Sequence, residues 1–110
     1  MGGVVKALAV MPVVSGLHGF VHRGPITPVC RVDEPCDAPA QVTLLFRRNG
    51  TTRRVRSDAE GRYRIILPAG IYVVSTVERI GISPNIRPYR VHVRAGHVDT
   101  LDFSIDTGIR

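Results

Sequence analysis

The sequence predicts an all-β domain built as a seven-stranded antiparallel β-sandwich. Three observations carry that prediction. Short runs with an apolar residue at every second position recur from Ser15 to Asp106. The runs are separated by turn signals, in a chain that holds 11 Gly and 8 Pro. After Val14 no segment shows the three-to-four-residue apolar spacing of an amphipathic helix. Two packed antiparallel sheets are the economical way to bury seven half-apolar strands. At 110 residues and 44% hydrophobic composition the chain is one domain with a real core. Folding at this length buries roughly 65% of the surface of the unfolded chain.

The first strand reads SGLHGFVHRG, with Leu17, Gly19 and Val21 on one face and His18, Phe20 and His22 on the other. A Pro- and Cys-bearing loop, 24–39, follows. The second strand, AQVTLLFRR, turns Ala40, Val42, Leu44 and Phe46 inward. Asn49-Gly50 then signals a type I′ hairpin, which needs positive φ at both positions. The third strand, TTRRVRSD, has Val55 as its one clear apolar position, and Asp58-Ala59-Glu60-Gly61 turns the chain. The fourth, RYRIILP, sends Tyr63, Ile65 and Leu67 inward and Arg62 and Arg64 outward. Pro68-Ala69-Gly70 leads to the fifth, IYVVSTVER, with Tyr72, Val74 and Thr76 on one face. Residues 80–88 read as an irregular loop broken by Pro84 and Pro88. The sixth strand, YRVHVRA, buries Val91 and Val93, and the seventh, VDTLDFSID, buries Leu101, Phe103 and Ile105.

The termini stand apart from this pattern. Residues 1–14 carry one Lys and a short apolar run, Ala7 to Val14, and read as a leader or a partial signal segment. The sandwich spans 15–106 and a short tail 107–110. No run of about 18 apolar residues is present, so no transmembrane segment is expected.

Cys30 and Cys36 lie in the polar, proline-rich stretch GPITPVCRVDEPCDAP, with neither a CxxC nor paired His at zinc spacing. A local disulfide between them closes a small loop, worth about 2.4 kcal/mol in the chain-entropy model, and implies an oxidising compartment. The alternative is two free thiols in a reducing one.

The net charge is +6, made of 14 Arg and a single Lys, Lys6, against 9 acidic residues. Arg pairs anions bidentately where Lys acts as a point charge. The arginines are spread along strands, and only 5% of residues are aromatic with no Trp. That composition weakens a stacking surface for single strands, and no specific nucleic-acid partner is expected. Arg54, Arg56, Arg62 and Arg64 are the candidate anion-binding residues. They share one sheet face if the third and fourth strands pair through the 58–61 turn.

Two stretches carry a family resemblance. SDAEGRYRIILPAGIYVV, residues 57–74, resembles the T/S-D-x-x-G-x-[FY]-x-[FVI]-x-L-P-x-G-x-Y-x-[VL] signature of carboxypeptidase regulatory-like and Cna B-type domains. GLHGFVHRGPITPVCRVDEPCDAPAQVTL, residues 16–44, is similar to the opening of secreted bacterial members. The resemblance implies a transthyretin-like (prealbumin-like) β-sandwich over about 15–106. Packing alone accounts for the signature. Asp58 caps a turn, Gly61 supplies positive φ, and Tyr63, Ile65, Leu67, Tyr72 and Val74 enter the core.

Enzymatic relatives do not match. Hydroxyisourate hydrolases end in a Tyr-Arg-Gly-Ser tetrapeptide, whereas this chain ends DTGIR. Intradiol dioxygenases bind iron through two Tyr and two His, but Tyr63 and Tyr72 fall at core positions. The isopeptide bond of some Cna B-type domains needs a Lys, and Lys6 precedes the first strand. The zinc of metallocarboxypeptidases belongs to a separate domain. His18 and His22 are about 13 Å apart along a strand, too far to chelate one metal. His18, His92 and His97 meet only if their strands pair suitably. No catalytic residue, metal site or cofactor is expected.

The expected function is a non-enzymatic accessory or structural module of an exported or cell-surface protein, monomeric, with an unknown protein partner. The alternative is a binding module for an anionic glycan, polymer or surface through the Arg-rich face.

Overall fold

The computed structural model describes residues 14–25, 37–77 and 85–106. These form ten strands in two sheets, with no helix among them. The strands are β1 (Gly16–Gly24), β2 (Ala38–Pro39), β3 (Thr43–Arg48), β4 (Thr51–Arg56), β5 (Arg62–Ile66), β6 (Gly70–Thr76), β7 (Asn85–Arg87), β8 (Arg90–Val93), β9 (Val98–Thr100) and β10 (Phe103–Asp106). The Cys30–Cys36 pairing, the tail 107–110 and all of the leader except Val14 lie outside the described residues.

The first sheet is organised around β1, the longest strand. β5 and β2 pair with one edge of it, β9 and β10 with the other, and β7 lies beyond β10. The second sheet has the order β4-β3-β6-β8 and is antiparallel throughout. The antiparallel expectation is corrected at one place: β1 runs parallel to β9 and β10. Parallel neighbours need a long connection, and here the whole domain intervenes between first and last strands.

Two short strands appear where the sequence reads as loop. β7 carries the buried Ile86 as its one apolar residue, between prolines in the sequence, so it leaves no alternating signal. β2 is two residues long and pairs His22 with Pro39 and Arg23 with Ala38. The seventh expected strand is split into β9 and β10. At the break the Leu101 amide donates to the His18 carbonyl (2.8 Å), and the Phe20 amide donates to Asp102 Oδ1 (2.9 Å). The backbone thus stays on β1 while stepping out of the ladder. Leu101, expected in the core, is only partly buried for this reason.

The other expected core residues are buried: Val42, Leu44, Phe46, Tyr63, Ile65, Leu67, Tyr72, Val74, Val91, Val93, Phe103 and Ile105. Leu17, Val21, Ala40 and Ile86 join them. The two sheets meet through aromatic rings. Phe46 of β3 sits edge-on to Phe103 of β10, with centroids 6.1 Å apart, and edge-on to Tyr72 of β6 at 6.5 Å. The Asn49-Gly50 hairpin forms as expected between β3 and β4, with φ of 49° and 80°.

Candidate functional site

The site grows from the corner 57–61, which carries the chain from β4 in one sheet to β5 in the other. Ser57 is 1% exposed. Its Oγ donates to the Ala40 carbonyl (2.6 Å) and accepts the Val42 amide (2.9 Å), which ties the corner to the entry of β3. Asp58 caps the turn as its position suggests: Oδ1 accepts the amides of Glu60 (3.0 Å) and Arg62 (2.8 Å). Gly61 has φ of +83°, and a Cβ there would lie 2.5 Å from the Val21 carbonyl oxygen. Only glycine meets both demands.

This corner corrects the expected pairing of the third and fourth strands. β4 pairs with β3 and β5 with β1, so Arg54, Arg56, Arg62 and Arg64 do not share a sheet face. The reason is the pair of anchors. Ser57 holds one end of the corner to 40–42, and the Gly61 carbonyl accepts the Val21 amide (2.7 Å) at the other. A tight hairpin back onto β4 is incompatible with both.

The consequence is a seam between two edge strands, β4 of the second sheet and β5 of the first. Along it lies an open cleft of about 510 Å3. Arg56 lines it from β4, Arg62 and Arg64 from β5, and His18 and Phe20 from β1, with Val55 and Tyr63 contributing apolar surface. Three of the four expected arginines therefore converge, by a route other than a shared face. Arg54 does not. It shares the outer face of the second sheet with Arg56 but pairs across from Leu45, two positions further from the 57–61 corner. Arg56 also donates to Thr43 Oγ1 (3.3 Å). Among the described residues one carboxylate, Asp58, lines the cleft against the three guanidinium groups. The lining thus carries an excess of fixed positive charge, since guanidinium groups stay ionised at any working pH.

Phe20 and His18 were legible only as outward positions of the first strand. The signal for Phe20 was a large apolar side chain on the polar face. It is 40% exposed. Its ring lies parallel to that of His22 within 5°, centroids 6.0 Å apart, and the Arg62 guanidinium carbon lies 6.0 Å from its centroid. His18 Nε2 is 3.1 Å from Thr100 Oγ1.

Tyr63 closes the inner side of the seam. Its hydroxyl donates to the Leu101 carbonyl and its ring packs against Phe103, centroids 5.4 Å apart. Burial first, and the Asp102 charge second, raise its pKa well above the ordinary tyrosine value. Elsewhere, Arg94 and Asp99 form an exposed ion pair (2.7 Å) across the β8–β9 turn. The hydrogen bond from Arg94 holds the Asp99 carboxyl below its usual range. A second cavity, of about 690 Å3, lies beside β6, β7 and the Pro88–Tyr89 turn, with Arg87 and Arg90 in its lining.

Among the described residues no three His, Cys, Asp or Glu side chains are grouped to hold a metal ion. His18 stands in β1 of the first sheet and His92 in β8 of the second. Among the described residues no helix is long and apolar enough to cross a membrane. No protein-family model, curated protein or solved structure matches the chain significantly.

Proposed function

We propose that the chain is an accessory β-sandwich module that works by binding rather than by catalysis, and that its ligand is an anionic polymer seated in the β4–β5 seam. The carrying observation is the convergence of Arg56, Arg62 and Arg64 on one open cleft from strands of two different sheets. A cleft lined by one sign of charge concentrates ligands of the other sign. The net charge of +6 adds long-range attraction.

The finer reading of the fold as transthyretin-like is part of the same proposal, as is membership of the carboxypeptidase regulatory-like and Cna B-type group. It is supported by the 57–74 stretch, whose Asp58, Gly61, Tyr63, Leu67 and Tyr72 serve as cap, turn and core. Export or cell-surface placement rests on Cys30 and Cys36 as a sequence feature and on that resemblance.

The test is equilibrium binding of a fluorescently labelled polyphosphate across a salt series. The proposal expects binding that weakens steeply as salt rises, because exposed charge pairs are screened within about 10 Å at 0.1 M. Binding that is absent at low salt, or insensitive to salt, overturns it.

A further inference from the structure

The outer face of the first sheet adds a feature that simple anion binding does not use. The alternation of β1 brings His18, Phe20 and His22 to that face, and cross-strand pairing sets Arg64 beside His18 and Arg62 beside Phe20. On the other side of β1, Thr100 lies opposite His18 and Ser104 opposite His22, with Arg87 beyond Ser104. The face is therefore a row of flat rings flanked by guanidinium groups. Phe20 belongs both to this row and to the lining of the seam. Phe20 is held 40% exposed, and the residues paired beside it on the face, Arg62 and the flanking His18 and His22, are polar.

A bare anion such as phosphate gains nothing from the ring of Phe20. A ligand that alternates negative charge with flat aromatic groups gains from both features at once. We infer that the anionic ligand of the seam is a single-stranded nucleic acid, its phosphates among Arg56, Arg62 and Arg64 and a base stacked on the Phe20–His22 rings. The inference rests on the anion-binding reading and narrows it to one ligand class. Proteins that hold single strands without reading sequence combine these two elements, a cationic groove and exposed rings on which any base stacks. Base edges make no required contact here, so the binding tolerates any sequence. A duplex keeps its bases stacked on one another and offers the rings nothing. Asp102 is the acidic group beside the row, and its Oδ1 is held by the Phe20 amide.

The experiment compares two probes on three proteins: a short fluorescein-labelled oligothymidine strand and a labelled polyphosphate, each titrated with wild type, Phe20→Ala and Phe20→Trp. Phe20→Ala weakens the oligothymidine strand roughly tenfold, the size of one lost base stack, and weakens polyphosphate several-fold less, because the ring also lines the seam beside Arg62. Phe20→Trp retains or strengthens the strand. Unlabelled duplex competes with the strand no better than polyphosphate does. Equal affinity of wild type and Phe20→Ala for the strand overturns the stacking inference, and polyphosphate binding then still supports the broader reading. Equal weakening of both probes by Phe20→Ala also overturns it, because the ring then acts only by shaping the seam. If neither probe binds wild type, both readings fall.

Discussion

Ser57→Ala tests how the corner is held. Ser57 Oγ is the donor to the Ala40 carbonyl at 2.6 Å and the acceptor of the Val42 amide at 2.9 Å, in a side chain 1% exposed. Alanine fits the same space, so no clash complicates the result. The Val42 carbonyl keeps the Ser57 amide at 2.9 Å. What is lost is one partner for a buried N–H and one for a buried C=O. An unsatisfied buried group costs about 1–3 kcal/mol, so the pair should cost roughly 2–6 kcal/mol in total. For a domain of this size that lowers Tm by about 10 °C or more. Urea denaturation followed by circular dichroism should show a lower midpoint with unchanged slope, the mark of altered stability rather than altered compactness. The same variant should bind polyphosphate more weakly below its melting range, because the corner sets the spacing of Arg56 and Arg62. A loss of stability under about 0.5 kcal/mol refutes the claim that the serine bridge holds the two sheets' chain crossing in place.

Three further outcomes are expected. Phe46→Ala removes a fully buried ring that contacts Tyr72 and Phe103, and should cost about 3–5 kcal/mol by urea titration. Tyr63 has a folded pKa raised above 10.0, so the stability it contributes is complete below about pH 10 and is lost as pH rises through the folded value. The urea midpoint of wild type should therefore fall more between about pH 9 and about pH 11 than that of Tyr63→Phe. Cys30 and Cys36 should give no free thiol in the denatured, non-reduced protein, and Cys30→Ser should lower stability by about 2–3 kcal/mol.

Much of the fold was legible in the sequence because a two-residue period with one apolar face fixes both strand and register. Phe46, Tyr63, Leu67 and Phe103 are buried where the alternation puts them. Asn49-Gly50 and Gly61 turn the chain where their backbone freedom allows. The failures share a cause: pairing partners are tertiary facts. Nothing local says that β5 leaves β4 to pair with β1, since the decision lies in the bonds from Ser57 to 40–42 and from Val21 to Gly61. The parallel run of β1 with β9 and β10 is equally silent in the sequence. Ile86 is one apolar residue among prolines and has no period to reveal it. For the site, residue type pointed to the arginines but not to their assembly. Three of them meet because two edge strands lie side by side, and Arg54, two positions from Arg56, does not take part.

The most direct measurement of the central claim compares two double variants of equal charge. Arg62→Ala with Arg64→Ala removes two guanidinium groups from the seam. Arg47→Ala with Arg90→Ala removes two from the outer face of the second sheet, where both align across Val73. Both changes lower the net charge by the same amount. Polyphosphate affinity at fixed salt should fall roughly 5- to 30-fold in the seam variant, at about 0.5–1 kcal/mol for each exposed charge contact, and change little in the other. Equal losses in the two variants would mean that binding follows overall charge and not the seam, which contradicts the account.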